Sequence, residues 1–118
     1  MHSEIVRAVS SCAATRGPWL RLLSQVLELA GPQAEFLSHS ERPWTSATFE
    51  GTRHSAVLAF HGPEGALPGE AFIAALPDHE FEVPGHLVAD ASIARIERDH
   101  TPSPRLQIEA EFLLLSDG

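Results

Sequence analysis

The sequence predicts an α+β fold in which an antiparallel sheet of five or six strands carries helices packed on one of its faces. Near the C-terminus, apolar residues occupy every second position, which is the period of a half-buried strand. Residues 18–30 instead repeat apolar side chains at helical spacing. The predicted order is one or two helices, three strands, a helix and two or three strands. Runs of strands separated by helices favour an antiparallel sheet over a parallel one.

Two helices are predicted before Gly31. Residues 3–15 form the first, with Ser3 as its cap, and residues 18–30 form the stronger second helix. Gly17-Pro18 suits the end of one helix and the start of the next. The apolar arc of helix 18–30 is wider than one sheet face requires, so either the first helix or a second copy of the protein is expected to cover the rest. Its two apolar stripes are Leu20, Leu23, Leu27 and Ala30, and Trp19, Leu22, Val26 and Leu29.

The central strands begin with a short strand over residues 34–40. Two β-prone runs, WTSATF and TRHSAVLAF, then flank Glu50-Gly51, which predicts a hairpin with a two-residue turn. This register pairs Phe49 with Thr52 and Ala47 with His54. The predicted inner face is Ala47, Phe49, His54, Ala56, Leu58 and Phe60. The predicted outer face is Trp44, Ser46, Thr48, Arg53, Ser55 and Val57.

The second half of the chain starts with a predicted loop over 61–69, where glycine and proline are frequent. A short helix follows over 70–76, with Phe72, Ile73 and Leu76 as its buried edge. Residues 80–83 are a brief strand candidate.

The main hairpin is predicted between residues 87 and 115, around the loop HTPSP. Its second strand alternates through Leu106, Ile108, Ala110, Phe112 and Leu114. Pairing Arg98 with Arg105 would place the weakly alternating residues of the first strand on the face of Phe112, namely Leu87, Ala89, Ala91 and Ile93. The two arginines would then repel each other or form a small anion site.

Length and charge restrict the classes of partner. A chain of 118 residues predicts one domain, spanning residues 1–118. Its 16 acidic residues against 8 basic ones give a net charge of -8, so nucleic acids and acidic membranes are poor partners. The single cysteine, Cys12, cannot form an internal disulfide. The chain shows neither a membrane-spanning apolar run nor a signal peptide, and a cytoplasmic protein without a cofactor is expected.

Candidate site residues concentrate in residues 78–90, where metal-ligand and general-base types gather: Asp78, His79, Glu80, Glu82, His86 and Asp90. Histidine with carboxylate is the combination that binds zinc or transfers protons. Successive strand residues point to opposite faces and no HExxH motif is present, so no metal site is predicted here. His79, His86 and Asp90 stay as catalytic candidates beside ordinary polar roles.

Three further candidates lie on the central hairpin. His54 is predicted to face the core, either as a buried histidine with one hydrogen bond or as a catalytic or pH-sensitive imidazole. Arg53 shares the outer face with Trp44, and the pair could bind a ligand carboxylate or aromatic ring.

The polar face of the main hairpin carries a separate group of polar residues: Asp90, Ser92, Glu109 and Glu111. A solvated strand face explains this group better than paired catalytic carboxylates do.

No nucleotide-binding, hydrolase or zinc-ribbon motif occurs, and three functions stay open. The first is a non-enzymatic domain that binds a copy of itself as a homo-oligomer. Apolar surface beyond the core motivates it: helix 18–30, and Leu113, Leu115 and Val88 on the outer sheet face. The second is a small enzyme or ligand-binding protein with a His/Asp/Arg pocket between helix 70–76 and the sheet. The third is a subunit of a larger phage-type assembly, by analogy of fold alone.

Overall fold

Two helices and four long strands make up the fold, as given by a computed structural model that describes residues 13–116, with side chains from residue 17 onward. In chain order the elements are α1 (Ala13–Ala30), β1 (Ala34–Thr45), β2 (Glu50–His61), α2 (Pro63–Ala75), a 3-10 turn (Leu76–Asp78), β3 (His86–Asp99) and β4 (Arg105–Ser116). The sheet order is β1-β2-β4-β3, and every pair of neighbours is antiparallel. The α+β class with an antiparallel sheet is confirmed. The predicted number of five or six strands is wrong.

The strand count differs because predicted strands merge or do not form. β1 continues without a break through Glu41-Arg42-Pro43 to Thr45, so two predicted strands are one. Pro43 is tolerated because β1 is an edge strand, where a missing N–H leaves no neighbour unpaired. Residues 80–83 are not a strand and contribute only an isolated bridge between Val83 and His86.

The β1–β2 hairpin turns earlier than predicted. The Ser46 N–H donates to the Phe49 carbonyl oxygen at 2.8 Å, and the Phe49 N–H donates to Ser46 Oγ at 3.1 Å. A hydroxyl bound to the backbone in this way stabilises a reversal without glycine. Glu50-Gly51 therefore lies inside β2, with Gly51 opposite Trp44. The predicted pairings of Phe49 and Ala47, and their inner placement, are wrong, whereas four inner residues are confirmed and buried: His54, Ala56, Leu58 and Phe60.

Helix α1 is continuous across Gly17-Pro18, so the predicted break between two helices is wrong. Proline removes one N–H from the helical ladder, but its fixed φ is itself helical. The first predicted helix, over residues 3–15, lies largely outside the described residues. The stripe of α1 that faces the sheet is buried, and it consists of Trp19, Leu22, Val26 and Ala30. Leu23 and Leu27 beside it are only partly buried, and Leu20 is exposed.

Helix α2 begins at Pro63, so the predicted loop over 61–69 is wrong. Gly62, with φ of 75°, lies at the N-cap, and Pro63 occupies the first turn, where its missing N–H has no helical partner to lose. Gly65 and Gly69 are buried against the sheet, and a Cβ at Gly65 would lie 3.1 Å from the Phe60 backbone. These residues resemble loop signals in sequence, but they allow the helix to approach β2 closely.

The β3–β4 hairpin contains two bulges, between Val88 and Asp90 and between Ile93 and Arg95. They shift the register so that Asp99 pairs with Arg105 and Arg98 pairs with Leu106, and the predicted pairing of Arg98 with Arg105 is wrong. Arg98 Nε and Nη2 donate instead to the two carboxylate oxygens of Glu70 on α2, both at 2.9 Å.

The same bulges decide which β3 residues face inward. Ala91 opposite Phe112 and Ile93 opposite Ala110 are confirmed. The bulge between Val88 and Asp90 reverses the two faces before it. Val88 lies opposite Leu114 on the inner face and Leu87 lies opposite Leu115 on the outer face, so the predicted outer placement of Val88 and the predicted inner placement of Leu87 are both wrong.

The core lies between the inner sheet face and both helices. Phe72 of α2 lies 6.1 Å from Phe60 of β2, measured between ring centroids, and Phe81 meets Phe112 edge-on at 5.7 Å. The segment that carries Phe81 is held to α1 by Gln25, whose amide makes two hydrogen bonds with the Glu82 backbone. Neither described helix is both long enough and apolar enough to cross a membrane.

Candidate functional site

Three polar side chains and one indole meet at the end of the core beneath β1 and β2. We call Trp19, His39, Glu41 and His54 the histidine cluster. His39 Nε2 lies 2.9 Å from His54 Nδ1. Glu41 Oε1 lies 3.7 Å from His39 Nε2 and 3.5 Å from His54 Nδ1. The three ligand-type atoms thus form one small triangle, in which each lies within 4.8 Å of the others.

Strand register brings these residues together. Glu41 of β1 lies directly opposite His54 of β2, and His39 lies two positions before Glu41, opposite Ala56. Residues two apart on a strand share a face, and directly paired residues share it as well. The small side chain of Ala56 leaves space beside His39 for its ring to reach His54.

Trp19 of α1 covers the two imidazoles. Its indole stacks on His39 at a centroid distance of 4.0 Å with an interplanar angle of 10°, and on His54 at 4.7 Å with 11°. The two imidazole planes differ by only 20°. One flat aromatic side chain therefore fixes the orientation of both rings and shields them from water on one side.

Burial sets the protonation of the pair. His54 is fully buried and the His39 side chain is 10% exposed, while Glu41 at 33% exposure reaches solvent. Desolvation lowers the pKa of His39 from 6.5 to about 4. Desolvation, and then repulsion from His39, lowers the pKa of His54 to about 4 as well. Both rings are consequently neutral at pH 7 and offer unprotonated nitrogen atoms.

The hydrogen bond between the rings does not satisfy His54. Its Nε2 atom is buried and has no partner among the described residues. If His39 donates, His54 Nε2 carries a buried N–H without an acceptor, and if His54 donates, Nε2 is a buried acceptor without a donor. An unsatisfied buried polar atom costs about 1–3 kcal/mol. The histidine cluster therefore carries a cost that an apolar pair in the same place would avoid.

Comparison with protein-family models, with curated proteins and with solved structures finds no match. Two neutral imidazoles and a carboxylate, held by two strands and a helix, can coordinate a metal ion or bind a small polar ligand.

The four predicted catalytic candidates do not share one cavity. His54 and His86 line a pocket of 250 Å³ together with Gly51 and Thr52. His79 and Asp90 line a different cleft of 390 Å³, beside Phe81 and Glu82. The candidate residues of the 78–90 stretch thus line two separate cavities.

The two predicted ligand-binding residues lie on the outer sheet face. Arg53 Nη1 lies 3.8 Å from a Glu111 oxygen and 4.0 Å from an Asp90 oxygen, so its nearest carboxylates belong to this chain. Trp44 lies two residues along the same face in the neighbouring strand, opposite Gly51.

Another cavity lies between the sheet and the N-terminal part of α2, ahead of most of the 70–76 segment beside which a pocket was predicted. It measures 360 Å³ and is lined by Phe60, Glu70, Arg98, His100 and Leu106. None of the predicted catalytic residues lines it. The Glu70–Arg98 pair, in which the hydrogen bond from Arg98 lowers the pKa of Glu70, lies at this cavity.

Sequence reasoning singled out His54 but missed His39, Glu41 and the role of Trp19. A weak signal was present, because His39 and Glu41 stand two apart in a β-prone run and so share a strand face. Their meeting with His54 depends on the register of the β1–β2 hairpin, and the predicted two-residue turn would have placed Ala47 there instead.

Proposed function

We propose that this protein is a small non-enzymatic domain that binds a second copy of itself through one end of the outer sheet face. The observation that carries the proposal is an apolar row across all four strands. Trp44 pairs with Gly51, Gly51 with Leu115, and Leu115 with Leu87. We call this set the apolar row.

The apolar row leaves apolar side chains in contact with solvent at its two ends. Leu87 is 56% exposed, and Trp44 is partly exposed. Gly51 and Leu115 lie between them in the row, and Leu115 itself is only 6% exposed. The packing contacts that α1 and α2 make through Trp19 and Phe72 are on the opposite, inner face. Contiguous apolar surface on a small domain is typical of an interface.

The neighbouring row of the outer face supports a two-fold arrangement. It pairs Arg42 with Arg53, Arg53 with Leu113, and Leu113 with Asp90. The cations lie on the β1 side and the carboxylate on the β3 side. A two-fold axis parallel to the strands sets the β1 side of one copy over the β3 side of the other, so opposite charges face each other.

Multi-angle light scattering at micromolar concentrations tests the proposal. We expect twice the chain mass for the wild type and the single-chain mass for Leu87→Glu, which puts a charge into the apolar row. Leu67→Glu is the matched control, because Leu67 is 82% exposed on α2 and lies outside the row. A wild type of single-chain mass would overturn self-association. A dimer that survives Leu87→Glu would overturn the assignment of the surface.

The second candidate function is a ligand-binding protein, and the histidine cluster favours it over the His/Asp/Arg pocket first predicted. A small enzyme is not favoured by any specific arrangement among residues 17–116. The third function, a subunit of a phage-type assembly, stays a prediction from fold class.

A further inference from the structure

We infer that His39, Glu41 and His54 bind one divalent transition-metal ion of the zinc class. The inference does not depend on self-association, because the cluster lies on the inner side of the sheet and the apolar row on the outer side. The ligand atoms are His39 Nε2, His54 Nδ1 and one Glu41 carboxylate oxygen.

The spacing of these atoms matches a tetrahedral ion. Zinc binds imidazole nitrogen and carboxylate oxygen at about 2.0–2.2 Å, so two ligands of a tetrahedron are about 3.4 Å apart. The three observed separations are 2.9, 3.5 and 3.7 Å. Movements of a few tenths of an ångström would make them equal, and Glu41, as the most exposed of the three, has freedom to move.

Binding of the ion rearranges one proton within the histidine pair. A metal ligand must offer an unprotonated nitrogen, and each neutral imidazole has one such ring atom. One proton lies between the facing nitrogens. When the ion enters, the ring that carries this proton changes tautomer and holds it on its other nitrogen. No net proton is released, and the single negative charge of Glu41 partly neutralises the ion.

Residue type and accessibility narrow the class of ion. Two imidazoles with one carboxylate suit zinc, cobalt, nickel and iron, whereas magnesium and calcium prefer sites made of oxygen atoms. Glu41 borders solvent, so an ion can enter from that side. Three protein ligands leave the fourth tetrahedral position for water or for a small ligand, as in sites where zinc is not purely structural.

The first experiment is a calorimetric titration of untagged, chelator-treated protein with Zn²⁺ at neutral pH. We expect one ion per chain in the wild type and no comparable binding of Mg²⁺ or Ca²⁺. His39→Gln should weaken Zn²⁺ binding by about a hundred-fold or more, since it removes a direct ligand. Glu41→Gln should also weaken Zn²⁺ binding, and it carries less risk to folding because the amide keeps the size of a side chain that is 33% exposed.

His61→Gln is the matched control. His61 and Glu35 form a second histidine–carboxylate pair on the same two strands, 2.7 Å apart, but both side chains are exposed. Binding that persists in His61→Gln and is lost in His39→Gln supports the site. Binding lost in His61→Gln and retained in His39→Gln overturns it, as does a wild type that binds no zinc.

Cobalt gives an independent spectroscopic measurement. Tetrahedral Co²⁺ with these ligands should produce visible ligand-field absorption in the wild type and in His61→Gln, but not in His39→Gln. In a Trp44→Phe variant, Trp19 is the only tryptophan, and bound Co²⁺ should quench its fluorescence because the indole stacks on both ligand rings. Cobalt that binds without quenching Trp19 lies elsewhere and contradicts the proposal.

Discussion

The Gln25 side chain of α1 pairs with the backbone of Glu82 as a strand would. Its Nε2 donates to the Glu82 carbonyl oxygen at 2.5 Å, and its Oε1 accepts from the Glu82 N–H at 2.9 Å. Residues 79–83 are not in the sheet, yet Phe81 and Val83 are buried in the core. A single side chain therefore supplies the backbone partners that β pairing would otherwise provide.

Gln25→Ala should loosen this segment. Loss of the two hydrogen bonds should lower the free energy of unfolding by about 1–3 kcal/mol, at about 0.5–1.5 kcal/mol for each bond. Hydrogen exchange should accelerate around Phe81 and Val83 first. Ser24→Ala, at an exposed position of the same helix, should change neither quantity. Equal protection of residues 79–83 in wild type and Gln25→Ala would show that apolar packing alone holds the segment.

Stability should fall as the pH decreases from about 6.5 towards 4. The pKa of both His39 and His54 is about 4 in the folded protein, mainly through desolvation, against 6.5 as the ordinary value. The unfolded chain therefore binds more protons in this window, so stability is complete above pH 6.5 and is lost as the pH falls. Each histidine contributes up to about 1.4 kcal/mol per pH unit.

Urea unfolding of chelator-treated protein at several pH values measures this loss. Glu41 is the acidic group that faces the pair, with Oε1 3.7 Å from His39 Nε2 and 3.5 Å from His54 Nδ1. His39→Gln should reduce the slope, and His61→Gln should leave it as in the wild type. If the free energy of unfolding does not change between pH 6.5 and 4, the two rings take up protons as readily in the folded chain as in the unfolded one.

Gly51→Ala should be strongly destabilising. A Cβ at this position would clash with the Leu114 carbonyl oxygen and lie 2.9 Å from Leu115 Cα. These are backbone atoms of the neighbouring strand, so the sheet itself must shift, at an order of 1–3 kcal/mol. Thermal or urea unfolding measures the change.

Gly17→Ala is the control for Gly51→Ala, because Gly17 lies in α1 and a Cβ there meets nothing within 4 Å. Alanine favours helix over glycine, so this variant should be neutral or more stable. Equal losses in both variants would contradict the close approach of β2 and β4.

Gly65→Ala tests how closely α2 lies on the sheet. The added Cβ would lie 3.1 Å from the Phe60 carbonyl carbon and from its Cβ, so the helix must move outward by a few tenths of an ångström. The gain in helix propensity, about 1 kcal/mol, opposes this strain. We expect a net loss of stability, measured by urea unfolding. Ala74→Gly, on the exposed side of α2, is the control and should lose only the free energy that alanine contributes through its helix propensity. A stabilised Gly65→Ala variant would show that α2 has room to move.

The predicted and observed structures agree where one local rule decides the outcome. The alternation from Leu106 to Leu114 leaves only one face that can be buried, and those residues are buried as expected. The inner placement of His54 followed from the same rule. The predictions fail at the strand register. The turn at Ser46 and the bulges in β3 decide this register, and the residues that form them also suit other turns.

The sequence by itself determined the α+β class, the apolar faces of β2 and β4, and the helical stripe that carries Trp19 and Leu22. These features follow from the spacing and polarity of residues within one segment, which decide which of its faces is buried. The tertiary structure decided that β1 is one strand, that α2 begins at Pro63, and that His39 and Glu41 lie against His54. Contacts between residues distant in the chain made those choices: helix α2 packs closely on Phe60, and pairing across β1 and β2 places one ring against the other. Such contacts have no period in the sequence, since their energy exists only when both strands and the helix are in place.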